Sequence, residues 1–95
     1  MATLDDLVVP SNEFIEVYAS TGVAVGTELE LQLKTTWPVI VQEVGVKPTN
    51  DSVKGRVMSV RESGVNILSI LSGSGTVWVR CAHEGSVAIL SVESL

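Results

Sequence analysis

The sequence predicts an all-β protein, a small antiparallel β-sandwich or jelly-roll-like barrel of about seven or eight short strands. Three observations lead there. Apolar residues alternate with a period of two, turn-forming residues recur every 8 to 12 residues or so, and no stretch sustains the three-to-four spacing of an amphipathic helix. A helix longer than a turn or two is not expected. With 95 residues there is room for one core. The expected organisation is an N-terminal arm over 1–12, extended or partly ordered, followed by a single β domain over 13–95.

The arm has little alternation and contains Pro10, so it either adds to a neighbouring subunit or frays as a terminus. The first candidate strand is Glu13 to Tyr18. Thr27 to Lys34 is the clearest: Leu29, Leu31 and Leu33 point to one face while Glu28, Glu30 and Gln32 point to the other, the pattern of a strand with one wet face. Pro38 to Val44, Arg56 to Arg61, Val65 to Leu71, Thr76 to Ala82 and Ser86 to Val92 complete the set. Between them stand Thr21-Gly22, Pro48-Thr49-Asn50-Asp51, Glu62-Ser63-Gly64, Ser72-Gly73-Ser74-Gly75 and His83-Glu84-Gly85, whose glycines and Asn/Asp residues tolerate reversal. Lys47 to Gly55 is the candidate flexible loop.

The chain is 45% hydrophobic, only 4% aromatic, and 18% charged against a usual level of about 25%. Mean hydropathy is +0.39. A small domain has much surface to cover, so a shortage of charge implies that part of that surface faces other protein. A net charge of −5 with only six, scattered basic residues argues against a nucleic-acid partner. No apolar run approaches the ~20 residues of a membrane span, and no membrane partner is expected. Asp5 and Asp6 stand where a secretory signal carries Lys or Arg, so the chain is expected to be made in the cytoplasm and not secreted.

The candidate chemistry is thin. Cys81, the single cysteine, and His83, the single histidine, form no zinc set, and Cys81 reads as a small buried hydrophobe. His83 falls in a turn beside Glu84 with no nucleophile in view. Glu28 and Glu30 share a strand face as an acid–base pair would, but also as the solvent side of an amphipathic strand does. Ser72-Gly73-Ser74-Gly75 lacks the Lys and the helix that a phosphate loop needs, and it opens a strand instead. Gly22 and Gly26 lack the strand-turn-helix context of a dinucleotide site. No enzymatic activity, cofactor or metal is expected.

The tryptophans carry more. In Thr76 to Ala82, alternation puts Val77, Val79 and Cys81 on one face and Trp78, Arg80 and Ala82 on the other. Trp and Arg are enriched at interface hot spots. The alternatives are burial of both faces within one sandwich, or Arg80 stacking on Trp78 at the surface. In Ser86 to Val92, Val87 and Ile89 oppose Ala88, Leu90 and Val92, so that strand too has two apolar faces to cover. Trp37, Trp78, Arg80 and Leu90 are therefore the candidate interface residues.

Several segments, in order, carry a family likeness: Val8-Val9-Pro10-Ser11 leading into Phe14-Ile15-Glu16-Val17-Tyr18; Thr21-Gly22-Val23-Ala24-Val25-Gly26-Thr27 with its leucine strand; Pro38-Val39-Ile40-Val41-Gln42 followed by Lys47-Pro48; and Ser74-Gly75-Thr76-Val77-Trp78-Val79-Arg80 with the closing Gly85 to Val92 strand. The chain resembles small all-β virion proteins of tailed bacteriophages, accessory or decoration components of the particle. Phe14 stands where that resemblance implies a tryptophan, and 61–71 has no counterpart. The resemblance implies a homo-oligomeric structural protein, often a trimer, located in the virion and bound to capsid, neck or tail-fibre proteins. A carbohydrate or host-surface recognition module is the alternative, with Trp37 and Trp78 offering flat faces to sugars.

Overall fold

Strands form where the sequence alternates. The computed structural model describes residues 2–50, 52, 54–59, 66–73 and 75–94. Among them run nine strands and one short helix: β1 (Ala2–Thr3), β2 (Leu7–Val9), β3 (Ile15–Glu16), α1 (Val17–Thr21), β4 (Leu29–Leu33), β5 (Val39–Glu43), β6 (Arg56–Met58), β7 (Ile67–Ile70), β8 (Val77–Cys81) and β9 (Ala88–Ser94). The predicted all-β sandwich is the observed class.

All strand pairs are antiparallel and fall into two sheets. The first has the order β1-β9-β4-β7, with β2 also on β9, and the second has the order β3-β8-β5-β6. From β2 onward every connection except β5 to β6 crosses between the sheets. That is the strand order of a jelly roll, two Greek keys folded on each other.

The core lies between the sheets and takes the side chains that alternation selects. Leu29, Leu31 and Leu33 of β4, Val77, Val79 and Cys81 of β8, and Ala88, Leu90 and Val92 of β9 are all buried there. Each of the larger ones contributes roughly 1.5–3 kcal/mol by leaving water.

The segment expected as an arm is extended and lies in the first sheet. β1 and β2 pair with β9 of the same chain, and Leu7 and Val9 join the core. Leu4 packs against that core, while Val8, on the opposite face of β2, stands exposed.

The predicted strand from Glu13 to Tyr18 needs correction. Only Ile15 and Glu16 pair with β8; Val17 to Thr21 then coil into α1. The Glu16 carboxylate causes the switch by accepting from the N–H groups of Tyr18 (3.0 Å) and Ala19 (2.9 Å), which a helix start leaves unpaired. Gly22, at φ 77°, ends the turn in the left-handed conformation, and its N–H donates to the Tyr18 carbonyl. The ring of Tyr18 is buried, and its hydroxyl donates to the Thr27 carbonyl at 2.7 Å. Burial pushes that phenol above its usual pKa range, and the Glu16 and Glu43 carboxylates add to the shift.

The predicted strand from Arg56 extends to Met58, and Arg61 lies outside the described residues, as do the turn Glu62-Ser63-Gly64, Val65, Asp51, Val53 and Ser74.

Candidate functional site

Antiparallel topology sends the connections to two ends. One end holds the links β2–β3, β4–β5 and β8–β9; the other holds α1 with the β3–β4 link, β5–β6 and β7–β8. Each end presents a different surface.

At the first end, Trp37 and His83 continue the β5–β8 ladder past the strands. Their rings stack, with centroids 3.8 Å apart and an interplanar angle of 29°. Trp37 also packs against the core, so it closes this end of the sandwich and has one ring face occupied. His83 Nδ1 lies 3.0 Å from Ser86 Oγ, a contact between a base and a hydroxyl. It belongs to the turn, where the Ser86 N–H also bonds the His83 carbonyl at 3.1 Å. No group of three or more His, Cys, Asp or Glu side chains converges as a metal site among the described residues.

Beside this stack, on the outer side of the second sheet, is an open depression of about 640 Å³ lined by Ser11, Asn12, Asn50, Arg80, Ala82, Glu84 and Gly85. Two amide side chains, a carboxylate, a hydroxyl and a guanidinium meet there. Such groups offer paired donors and acceptors to a polyhydroxylated ligand. Ser11 and Asn12, which follow Pro10 in the arm, were not singled out by the sequence, because only the tertiary fold brings them beside Glu84. The Gly85 N–H donates to Ser11 Oγ at 3.1 Å.

Arg80 has a different role from the one expected of it. It shares the outer face with Trp78, as alternation requires, but it is only 9% exposed. Nη1 donates to the carbonyls of Ser11 (3.2 Å) and Cys81 (3.4 Å), and Nη2 to that of Ser52 (3.0 Å). Its Cζ lies 5.3 Å from the centroid of the Phe14 ring. Phe14 is itself buried yet stands apart from the central core, on the outer side of the sheet. Arg80 thus pins the β2–β3 link and the β5–β6 loop to its own sheet. Trp78, half-buried, donates through Nε1 to Thr76 Oγ1 at 3.3 Å. Leu90 is corrected outright: it faces inward from β9 and is fully buried in the core, unable to meet another chain.

The loop Lys47 to Gly55, expected as flexible, is held in part. Gln42 Nε2 donates to Ser52 Oγ at 2.9 Å, and the Ser52 N–H bonds the Thr49 carbonyl at 3.0 Å. Lys47 Nζ lies 4.0 Å from Glu13 Oε2.

At the second end three loops are tied to one another. The Gly73 N–H donates to the Gly26 carbonyl at 2.8 Å, and Thr76 Oγ1 donates to the Val44 carbonyl. On these joined loops Val25, Val44, Val46 and Leu71 are exposed, Val46 by 76% and Leu71 by 68%. Four large apolar side chains thus stand exposed on the loops of one end. Sequence reading located the apolar excess on strand faces and missed this end. Val25 and Val46 sit in turns, where no periodicity marks them, and Val44 and Leu71 close predicted strands that end one residue earlier, at Glu43 and Ile70.

Comparison of the chain with protein-family models, with curated proteins and with solved structures finds no match.

Proposed function

We propose that this chain is a non-enzymatic structural protein of a tailed-phage particle, which self-associates and docks on the capsid, neck or tail as an accessory or decoration component. The observation that carries this reading is the apolar loop end. Val25, Val44, Val46 and Leu71 stand exposed on loops joined by hydrogen bonds, although the domain has a core to bury such side chains. Held loops lose little freedom on binding, which favours a protein contact over a mobile tip. The jelly-roll strand order adds an analogy, since viral capsid domains share it; lectin domains and cupins share it too, so the fold alone assigns no role.

The test is binding to particles that lack the protein. The wild-type chain is expected to attach, and Val46→Lys combined with Leu71→Lys to abolish attachment while leaving the circular dichroism unchanged. A chain that ignores such particles overturns the reading.

The polar depression favours a second reading, a carbohydrate or host-surface module, with Asn12, Asn50 and Glu84 holding sugar hydroxyls. Glycan-array binding lost in Glu84→Ala, with particle attachment intact, supports it. Trp37 has one ring face covered by His83, so Trp78 is the ring left to test by Trp78→Ala.

A further inference from the structure

The sheet edges of this protein are not equally guarded. The second sheet ends on one side at β3, two residues long and running straight into α1, and on the other at β6, where Arg56 and nearby Lys54 are exposed. On the first sheet, β1 and β2 are interrupted by Asp5 and Asp6. Short strands and charged side chains are the usual means of keeping an edge from pairing with another chain. β7, the other edge of the first sheet, lacks the charge. From Ser63 to Val79 the chain contains no charged residue and no proline, and Ile67 stands 46% exposed.

The register shows which backbone groups this edge offers. The Leu33 N–H donates to the Asn66 carbonyl at 2.8 Å, and the β4–β7 pairing continues as Gln32↔Ile67, Leu31↔Leu68, Glu30↔Ser69. Hydrogen-bonded pairs alternate in an antiparallel ladder, so Asn66, Leu68 and Ile70 turn their N–H and C=O groups toward β4. Ile67 and Ser69 turn theirs outward. Among the described residues, no backbone hydrogen bond from another strand or loop reaches them.

We infer that two copies of this chain associate through β7, paired antiparallel about a two-fold axis at Leu68. In that register Ile67 of each copy faces Ser69 of the other, and the outward N–H and C=O groups of both residues are all satisfied. The two Leu68 side chains meet on the core side and close the edge of the sandwich. A second copy is the occupant because its own β7 is the edge that brings no charge, whereas β1–β2 and β6 carry Asp, Lys or Arg and β3 is two residues long and ends in Glu16. Chains with a net charge of −5 meet here without charged side chains in the contact. The two-fold operator gives a dimer or an even multiple; a trimer needs a different, heterologous contact.

This inference rests on the self-association within the proposed function, and its test separates the two. Sedimentation of the wild-type chain over about 1 to 100 μM is expected to show a dimer. Ile67→Lys and Ser69→Lys, both at exposed positions, are expected to weaken it by about tenfold or more, while Val87→Lys, exposed in the β8–β9 link, leaves it unchanged. In hydrogen exchange, the Ile67 and Ser69 amides of the wild type are expected to slow as concentration rises, while those of Leu68 and Ile70 are slow throughout. That measurement decides the matter even if a lysine variant fails to fold. An oligomer that persists in both lysine variants, or a trimer, overturns the β7 contact and leaves the particle role standing. A strict monomer throughout the range overturns both the contact and self-association.

Discussion

On the outer face of the first sheet, Gln32 lies between Ser91 and Ile67, and Lys34 reaches Asp6 at 2.8 Å with both side chains nearly half exposed. On the outer face of the second sheet, Phe14 is buried, Arg80 is held by three carbonyls, and Ser52 of the β5–β6 loop is bonded to both Arg80 and Gln42. One face is wet and the other is roofed by its own chain. The difference bears on the charge deficit, because most of β5 and β8 is buried on both sides, Trp78 being half-buried and Glu43 exposed, and the loop forms a partial third layer. Two apolar faces on a strand therefore do not by themselves call for another subunit.

The sharpest way to break this contrast is to disturb the return of the roof. Gly55 has φ 110°, and an added Cβ would meet the Val41 carbonyl oxygen and come within 2.7 Å of Gln42 Cγ. Gly55→Ala is expected to cost about 3 kcal/mol in urea unfolding, from backbone strain together with the overlap. A loss below about 0.5 kcal/mol would show that the loop does not need this path.

Arg80→Met comes next. It keeps much of the stem but leaves the Ser11, Ser52 and Cys81 carbonyls short of a donor, for an expected loss of about 2 kcal/mol. Hydrogen exchange should quicken in the β5–β6 loop and not in β4. A uniform change across both sheets would contradict the roof.

Tyr18, in the core beneath both faces, provides a pH-dependent reference. Its folded pKa is raised, so the stability it contributes is full below about pH 10 and declines as pH rises from there through the folded value. Tyr18→Phe is expected to cost about 1 kcal/mol at neutral pH, through the lost bond to the Thr27 carbonyl, and to flatten the alkaline decline. The chain has one tyrosine, so its tyrosinate absorbance reports the group directly. An unchanged alkaline slope in the variant would remove Tyr18 as its source.

The smallest effect belongs to the wet face. Lys34→Ala removes an ion pair with both partners nearly half exposed, and the expected change is within about 0.5 kcal/mol, shrinking further in salt. A loss comparable to that of Arg80→Met would erase the distinction between the faces.

Much of the sandwich was legible in the residues. Leu29, Leu31 and Leu33, and likewise Val77, Val79 and Cys81, advertise an inward face because a strand's period is two and each alternation is unbroken. The short helix was not legible. Val17 and Tyr18 favour strand, and what turns them is a carboxylate whose Oε2 also accepts from Val77 N–H at 3.0 Å, a partner 61 positions away. The tie between Arg80 and Ser52 was hidden for a related reason: its acceptor is a main-chain carbonyl, which every residue possesses and no side-chain identity announces. Leu90 was misplaced because β9 carries apolar residues on both faces, and period alone cannot say which face looks inward.

The strand order has a consequence for how the protein is made. β9 separates β1 and β2 from β4, and β8 separates β3 from β5, so one of the two inner strands of each sheet comes after all the others of that sheet in the chain. A ribosome emits β1 to β7 before either organising strand exists, and most of the Val, Leu and Ile ladders must wait without their partners. Folding then depends on closures between distant parts of the chain, a slow process during which the waiting strands are exposed to aggregation. Placing the two organising strands first, by circular permutation, should let the sheets nucleate earlier and speed refolding.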